Sequence, residues 1–241
     1  MSVELIAEVS SNHGGDLALA KEFIHRFADA GADWVKFQTT RVTHLRPDDP
    51  QYAWFERAEL SNDAHFELQA ECARANVKFL TTVYHADEVP FLASLGLEAI
   101  KIGSGECGDR ALMRAVRGRF PRVIVGSGLL VPESDGHPYQ WVPEAEYLRC
   151  LTQYPADDGE ALREIEKGFT VKTRGWSDHC AGLLSARAAI ARGAWVIEVH
   201  VCLPQQARPL QRWEKSVQDL TTLRAWMDEG PVSRFVGRWC A

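Results

Sequence analysis

A single (β/α)8 barrel is the fold the sequence predicts, and three observations predict it. Eight short apolar runs alternate with segments of helical apolar spacing, each run is apolar enough to be buried on both faces, and 241 residues is a length such barrels use as one unit. The first run, residues 3–9, leads through a Ser-Ser-Asn-His-Gly-Gly turn to Leu17, Ala20, Phe23, Ile24 and Phe27, which fall on one helical face. Gly31 ends that helix, and residues 34–38 (WVKFQ) make the second strand. Leu60-Ser61-Asn62 opens the next helix, carried by His65, Leu68 and Cys72. Residues 77–82 form the third strand, with a helix over 89–95. The remaining strands fall at 99–102, 123–125, 147–151, 171–176 and 195–201, and helices at 109–116, 159–167, 181–192 and 217–228. A Pro/Gly-rich loop at 130–143 stands where the fifth helix belongs, so that element is expected to be weak or missing. An open doubly wound sheet would carry a GxGxxG fingerprint at the first helix, and Gly14-Gly15 does not fit it. Neither a linker nor a break in composition divides the chain, so residues 1–241 are expected to form one domain.

Charge and cysteine usage narrow the function classes. A formal charge of -6 with no Lys/Arg stripe leaves nothing to hold a polyanionic backbone, which argues against nucleic acid as a partner. The start MSVELIAEVS lacks a charged region followed by a long apolar run, and no stretch reaches the roughly 18 apolar residues that span a bilayer. A cytoplasmic location without a membrane partner is the expectation. The six cysteines contain no CxxC and are expected to be reduced thiols.

A charged side chain inside a buried strand must face something that repays its desolvation, so Glu8, Lys36, Lys101 and Glu198 are the informative residues. Strand ends in a barrel converge on one face. There the sequence also places Asn12, His13, Gln38, Thr81, Thr82, Tyr84, Ser104, Glu106, Ser127, Tyr154, Ser177, Asp178, His179 and His200. Two lysines with short hydroxyl and backbone donors make an anion cradle. His179 and His200, on adjacent strand ends, are candidate ligands of a divalent metal, with Glu8 or water completing the shell. Each also has a plainer reading: an ion-paired lysine at a barrel rim, or a histidine satisfied within the core. His13, His65 and His85 are read as structural or rim residues.

The segments IAEVSSNHGGDLALA (6–20), VKFQTT (35–40), ELSNDAHFEL (59–68), VKFLTTVYHADEVPFLASLGLEAIKIGSGE (77–106), GWSDHCAG (175–182) and GAWVIEVHV (193–201) together resemble the N-acetylneuraminate (sialic acid) synthase family. The resemblance spans residues 3 to about 202. It implies a (β/α)8 catalytic barrel that condenses phosphoenolpyruvate with the open-chain aldehyde of an acylated aminosugar, giving a 3-deoxy-2-keto acid and phosphate. It further implies that Lys36, Lys101, Thr82, Ser104, Ser127 and Ser177 bind phosphoenolpyruvate, with Lys101, Glu8 and Glu106 as the catalytic set. Gln38, Glu8 and Glu106 would face the aldehyde or the attacking water, and Tyr154 would lie near the sugar. His179 and His200 would hold the metal, manganese by family habit, with magnesium or cobalt as alternatives. A homodimer is one assembly the resemblance allows.

Departures from the family pattern point to a different acceptor. The family's antifreeze-like C-terminal domain, whose arginine reaches the partner's sugar site, is expected to have no counterpart here. The acid that would hold sugar hydroxyls after the second histidine is replaced near Gln211, and Gly126-Ser127-Gly128 and Thr152 replace family residues of the phosphate cradle. N-acetylmannosamine is therefore expected to be a poor acceptor beside a smaller, phosphorylated or otherwise modified aldehyde. Residues 130–143 and 203–213, with Trp141, Arg208, Arg212 and Trp213, are the expected replacement wall. Two rival functions remain: a metal-dependent aldolase-type lyase on the same barrel, and a non-catalytic phosphometabolite-binding protein.

Overall fold

A computed structural model describes residues 3–129 and 141–229. Eight parallel strands close in chain order: β1 (Glu4–Ser10), β2 (Trp34–Thr39), β3 (Lys78–Val83), β4 (Ile100–Ile102), β5 (Val123–Gly126), β6 (Glu146–Arg149), β7 (Thr173–Asp178) and β8 (Val196–His200). All eight expected strands form, with ends shifted by one or two residues. The helices are α1 (Leu17–Asp29), α2 (Tyr52–Ala58), α3 (Asn62–Arg74), α4 (Val89–Ser94), α5 (Arg110–Val116), α6 (Asp158–Ile165), α7 (Leu184–Ala191) and α8 (Val217–Asp228). Asp16, Ser61, Asp109, Asp157 and Ser216 cap five of them by accepting from first-turn N–H groups. The expected gap in the fifth crossover lies mostly at 130–140, outside the described residues.

The short helix α2 was not expected between the second strand and the helix opening at Asn62. Its N-cap position, Gln51, makes no side-chain cap, and Ala58 is its one buried residue, so neither a start signal nor an apolar stripe announces it. Tertiary contacts hold it instead: Trp54 Nε1 donates to Ser11 Oγ at 2.9 Å and Arg57 Nε to the Gly14 carbonyl at 3.2 Å.

Two cores result from the alternation of side chains along each strand. The larger lies between strands and helices. The smaller fills the barrel with Ile6, Trp34, Leu80, Ala99, Ile124, Leu148 and Val196, one from each strand but β4, just before which Ala99 lies, and β7. At β7 the inward position is Gly175, where an added Cβ would sit 1.9 Å from the Val196 carbonyl oxygen. This apolar layer is a floor, and beneath it Lys78 and Arg122 lie over the Trp34 ring at 4.8 and 5.8 Å.

Candidate active site

Counting two residues on from each floor position gives the next inward layer, and its chemistry changes at once. Ile6 leads to Glu8, Trp34 to Lys36, Leu80 to Thr82, Ala99 to Lys101, Leu148 to Cys150, Gly175 to Ser177 and Val196 to Glu198. One step higher come Gln38, Tyr84, Gly103, Thr152, His179 and His200. All of these line a cavity of about 310 Å³ at the C-terminal face, together with Ser104, Gly105, Glu106, Leu129 and Tyr154. Ile124 leads to Gly126, where a Cβ would meet Ser104 Oγ at 2.7 Å; glycine there lets the β4 loop lean across β5.

Glu198 is the hub of the lower layer. Its Oε2 accepts from Lys36 Nζ at 2.7 Å, and its Oε1 accepts from Lys101 Nζ at 3.1 Å and Ser177 Oγ at 2.8 Å. Lys36 also pairs with Glu8 Oε2 at 3.0 Å, and Gln38 Nε2 donates to Glu8 Oε1 at 2.9 Å. Burial opposes the charge on Glu198, but Lys101 and Lys36 outweigh it and hold the carboxyl well below the usual range. Burial raises Glu8 instead, against the pull of Lys36. Lys36 is held above its ordinary value, because Glu198 and Glu8 outweigh the burial that opposes its charge; for Lys101 burial wins and lowers it. Two buried ammoniums thus face one firmly ionised carboxylate and one carboxyl prone to hold a proton. The surplus is positive, which suits an anion.

The upper layer holds the imidazole pair, with ring centroids 5.3 Å apart. His179 Nδ1 faces the Leu151 carbonyl, an acceptor only, so Nδ1 carries the proton. Nε2 is then left with its lone pair toward the cavity, where the Tyr154 hydroxyl donates to it at 3.0 Å. Burial lowers the His179 pKa to about 4, against the Leu151 bond, and with His179 beside it lowers His200 far below the ordinary value. Neutral imidazoles with a carbonyl fixing the tautomer are what a divalent cation requires of its ligands. Among the described residues no group of three or more His, Cys, Asp and Glu is disposed to hold an ion. Glu8, a candidate third ligand, is engaged with Lys36 and Gln38.

Of the residues singled out in the sequence, Glu8, Lys36, Gln38, Thr82, Lys101, Ser104, Glu106, Tyr154, Ser177, His179 and His200 meet in this cavity. Ser127 does not line it. Its hydroxyl donates to the Leu148 carbonyl at 3.0 Å, an interaction that terminates β5 against β6. Gln211 turns to the Pro209 carbonyl at 2.7 Å, so it supplies no wall. Trp141 stacks with Arg110 and Arg208 with Trp54, Arg212 is exposed, and Trp213, outside the cavity lining, packs against Tyr154 of the site with ring centroids 5.4 Å apart. Glu198 received no site role from the sequence, although its charge inside an apolar run marked it.

The NeuB family model matches residues 23–211. The chain belongs to the NeuB family. This NeuB-family chain is 32% identical over 228 residues to the N,N'-diacetyllegionaminic acid synthase of Campylobacter jejuni, covering 83% of itself and 67% of that protein. It is 28% identical over 230 residues to the N-acetylneuraminate-9-phosphate synthase of Drosophila melanogaster, covering 86% of itself and 62% of that protein. The chain therefore spans about two thirds of the length of these curated relatives. Among solved structures, the N-acetylneuraminic acid synthetase of Leptospira borgpetersenii superposes with a TM-score of 0.83 at 25% identity, over 95% of this chain and 84% of that one. No helix among the described residues is long and apolar enough to cross a membrane.

Proposed function

We propose that this NeuB-family barrel condenses phosphoenolpyruvate with an aldehyde of the sugar class, forming a 3-deoxy-2-keto acid and releasing inorganic phosphate. The observation that carries the reading is the pair of buried ammoniums, Lys36 and Lys101, set around one carboxylate at the floor of a cavity whose upper rim holds two neutral imidazoles. Lys36 and Lys101 bind the carboxylate and phosphate of phosphoenolpyruvate through charge-assisted bonds, with Ser104 and Thr82 adding hydroxyl donors. Carbon 3 of phosphoenolpyruvate attacks the aldehyde carbon. The cationic character at carbon 2 is quenched by water, which loses a proton to Glu106, held above its ordinary pKa by burial. The tetrahedral adduct then collapses to the keto acid: its carbon–oxygen bond to phosphate breaks, the carbon 2 hydroxyl proton passes to the departing phosphate, and hydrogen phosphate leaves into the lysine cradle. Glu8, oriented by Gln38, carries the proton that the new hydroxyl takes up. His179 and His200 would hold a divalent cation, manganese foremost. Bound there, the cation would supply Lewis-acid polarisation of the aldehyde oxygen. The acceptor lies against Tyr154, whose ring Trp213 backs at 5.4 Å, and N-acetylmannosamine is a poor substrate for it.

Phosphate release assayed over a panel of aldehydes tests this. Release that requires both phosphoenolpyruvate and an aldehyde supports the synthase. Carbon-carbon bond formation from pyruvate would make the protein a lyase, and binding of phosphoenolpyruvate without turnover of any aldehyde would make it a binding protein.

A further inference from the structure

The segment after β8 returns to the barrel at Lys215, one of the largest fully buried side chains of the molecule. Its Nζ donates to the Cys180 carbonyl at 2.6 Å and the Trp213 carbonyl at 3.0 Å, and forms an ion pair with Asp178 Oδ2 at 3.5 Å. Its backbone N–H donates to the His200 carbonyl at 2.7 Å, and its carbonyl accepts from Cys202 N–H at 2.9 Å. Asp178 is itself fixed, taking Ser185 Oγ at 2.7 Å and Cys180 N–H at 3.0 Å on its other oxygen.

These bonds bracket both imidazoles. Asp178 and Cys180 flank His179 in sequence, and the Lys215 side chain grips both. The His200 carbonyl is held by the Lys215 backbone. Trp213 stands edge-on to Tyr154, whose hydroxyl reaches His179 Nε2, so the ammonium's bond to the Trp213 carbonyl also leads back to the same ring. No other described lysine joins the ends of β7 and β8.

We propose that Lys215 is the positioning residue of the imidazole pair, its buried ammonium holding the His179 turn and its backbone N–H holding the His200 strand end. The inference rests on the metal reading above for its functional meaning, though not for its geometry. Removing the ammonium leaves two carbonyls and a carboxylate facing each other without a donor, and the His179 turn loses its side-chain tie to residues 213–215 while the β7–β8 pairing of Asp178 with Val199 remains. The cradle of Lys36, Lys101 and Glu198 lies one layer below and keeps its own bonds.

The test compares Lys215→Met with Arg224→Met. Arg224 of α8 pairs with Asp33, the residue before β2, and its loss is a structural injury away from the imidazoles. Ring carbon-proton shifts of His179 and His200, assigned with His179→Gln and His200→Gln, are read first without metal. Both move in Lys215→Met and stay in place in Arg224→Met. Manganese affinity, read by the paramagnetic resonance of the free ion, then falls at least 10-fold in Lys215→Met and less than 2-fold in Arg224→Met, while phosphoenolpyruvate affinity by calorimetry stays within about 3-fold in both. Unmoved ring shifts in Lys215→Met, or equal losses in the two variants, overturn the proposal. A wild-type protein that binds no manganese overturns the metal reading and leaves the shift comparison to decide the positioning role. Should Lys215→Met fail to fold, Lys215→Gln, which keeps a donor for one carbonyl, carries the same comparison.

Discussion

Glu198 shows what a single residue contributes and why its role escaped the sequence. A glutamate inside an apolar strand announces that something offsets its desolvation. Its partners Lys36 and Lys101 lie 162 and 97 residues away, and the register that brings them together is set by barrel closure. The lysines and histidines were readable because each residue type suggests its own ligand. A carboxylate among them suggests either repulsion of phosphate or neutralisation of lysine, and only distances decide. Replacing Glu198 by Gln keeps its shape and removes its charge, leaving Lys101 unpaired and Lys36 with Glu8 alone. The loss expected on breaking such a buried pair is about 3–5 kcal/mol. Added inorganic phosphate should raise the melting temperature of Glu198→Gln more than that of the wild type, since phosphate restores the missing negative charge. Equal phosphate responses in scanning fluorimetry would show that the two lysines do not sit at an anion site.

At the scale of elements, β2, β3 and α3 are tied by one buried polar chain. His65 on α3 meets Thr39 Oγ1 with Nε2 at 2.9 Å and the Ser61 carbonyl with Nδ1 at 2.8 Å, and Thr39 bonds Thr81 across the strands at 2.9 Å. The carbonyl can only accept, so Nδ1 donates and the neutral ring is complete. Burial lowers the His65 pKa from the ordinary 6.5 to about 4, against the bond to Ser61. The unfolded chain therefore binds the proton more readily between pH 6.5 and 4. The stability that His65 contributes is full above pH 6.5 and is lost as pH falls toward 4, an effect on the order of 3 kcal/mol. Chemical denaturation at pH 7.5 and 4.5 checks this: the wild type should lose more stability between the two than His65→Gln. Strand existence was readable from apolar runs, and capped helices from their Asp and Ser caps. The exception, α2, depends on Trp54 and Arg57 reaching a loop some 40 residues upstream, which no local signal records.

The whole molecule separates its tasks by height along the barrel axis. Apolar side chains at the floor give way in one step to ammoniums and carboxylates and in another to imidazoles, because inward positions recur every second residue on every strand. Period and strand count were readable from the sequence, and with them the convergence of polar residues on one face. The relative heights of the strands were not, so Ser127 joined the expected cradle although its hydroxyl closes onto β6, and Gln211 was expected near a wall that its side chain does not reach. The net charge of -6 also concealed a site of local positive surplus, since the ammoniums are buried and the acidic residues largely lie outside. The central claim is that this surplus is built for phosphoenolpyruvate. Calorimetric titration of the wild type and Lys101→Ala with phosphoenolpyruvate and with pyruvate tests it most directly. The account predicts that phosphoenolpyruvate binds the wild type, that pyruvate binds far more weakly, and that Lys101→Ala weakens phosphoenolpyruvate by about 1.5–3 kcal/mol, roughly 10- to 150-fold, for the loss of one charge-assisted bond. Equal affinity for the two ligands, or unchanged phosphoenolpyruvate affinity in a Lys101→Ala variant that has lost much of its melting temperature, would contradict it and make Lys101 an ion-paired core residue.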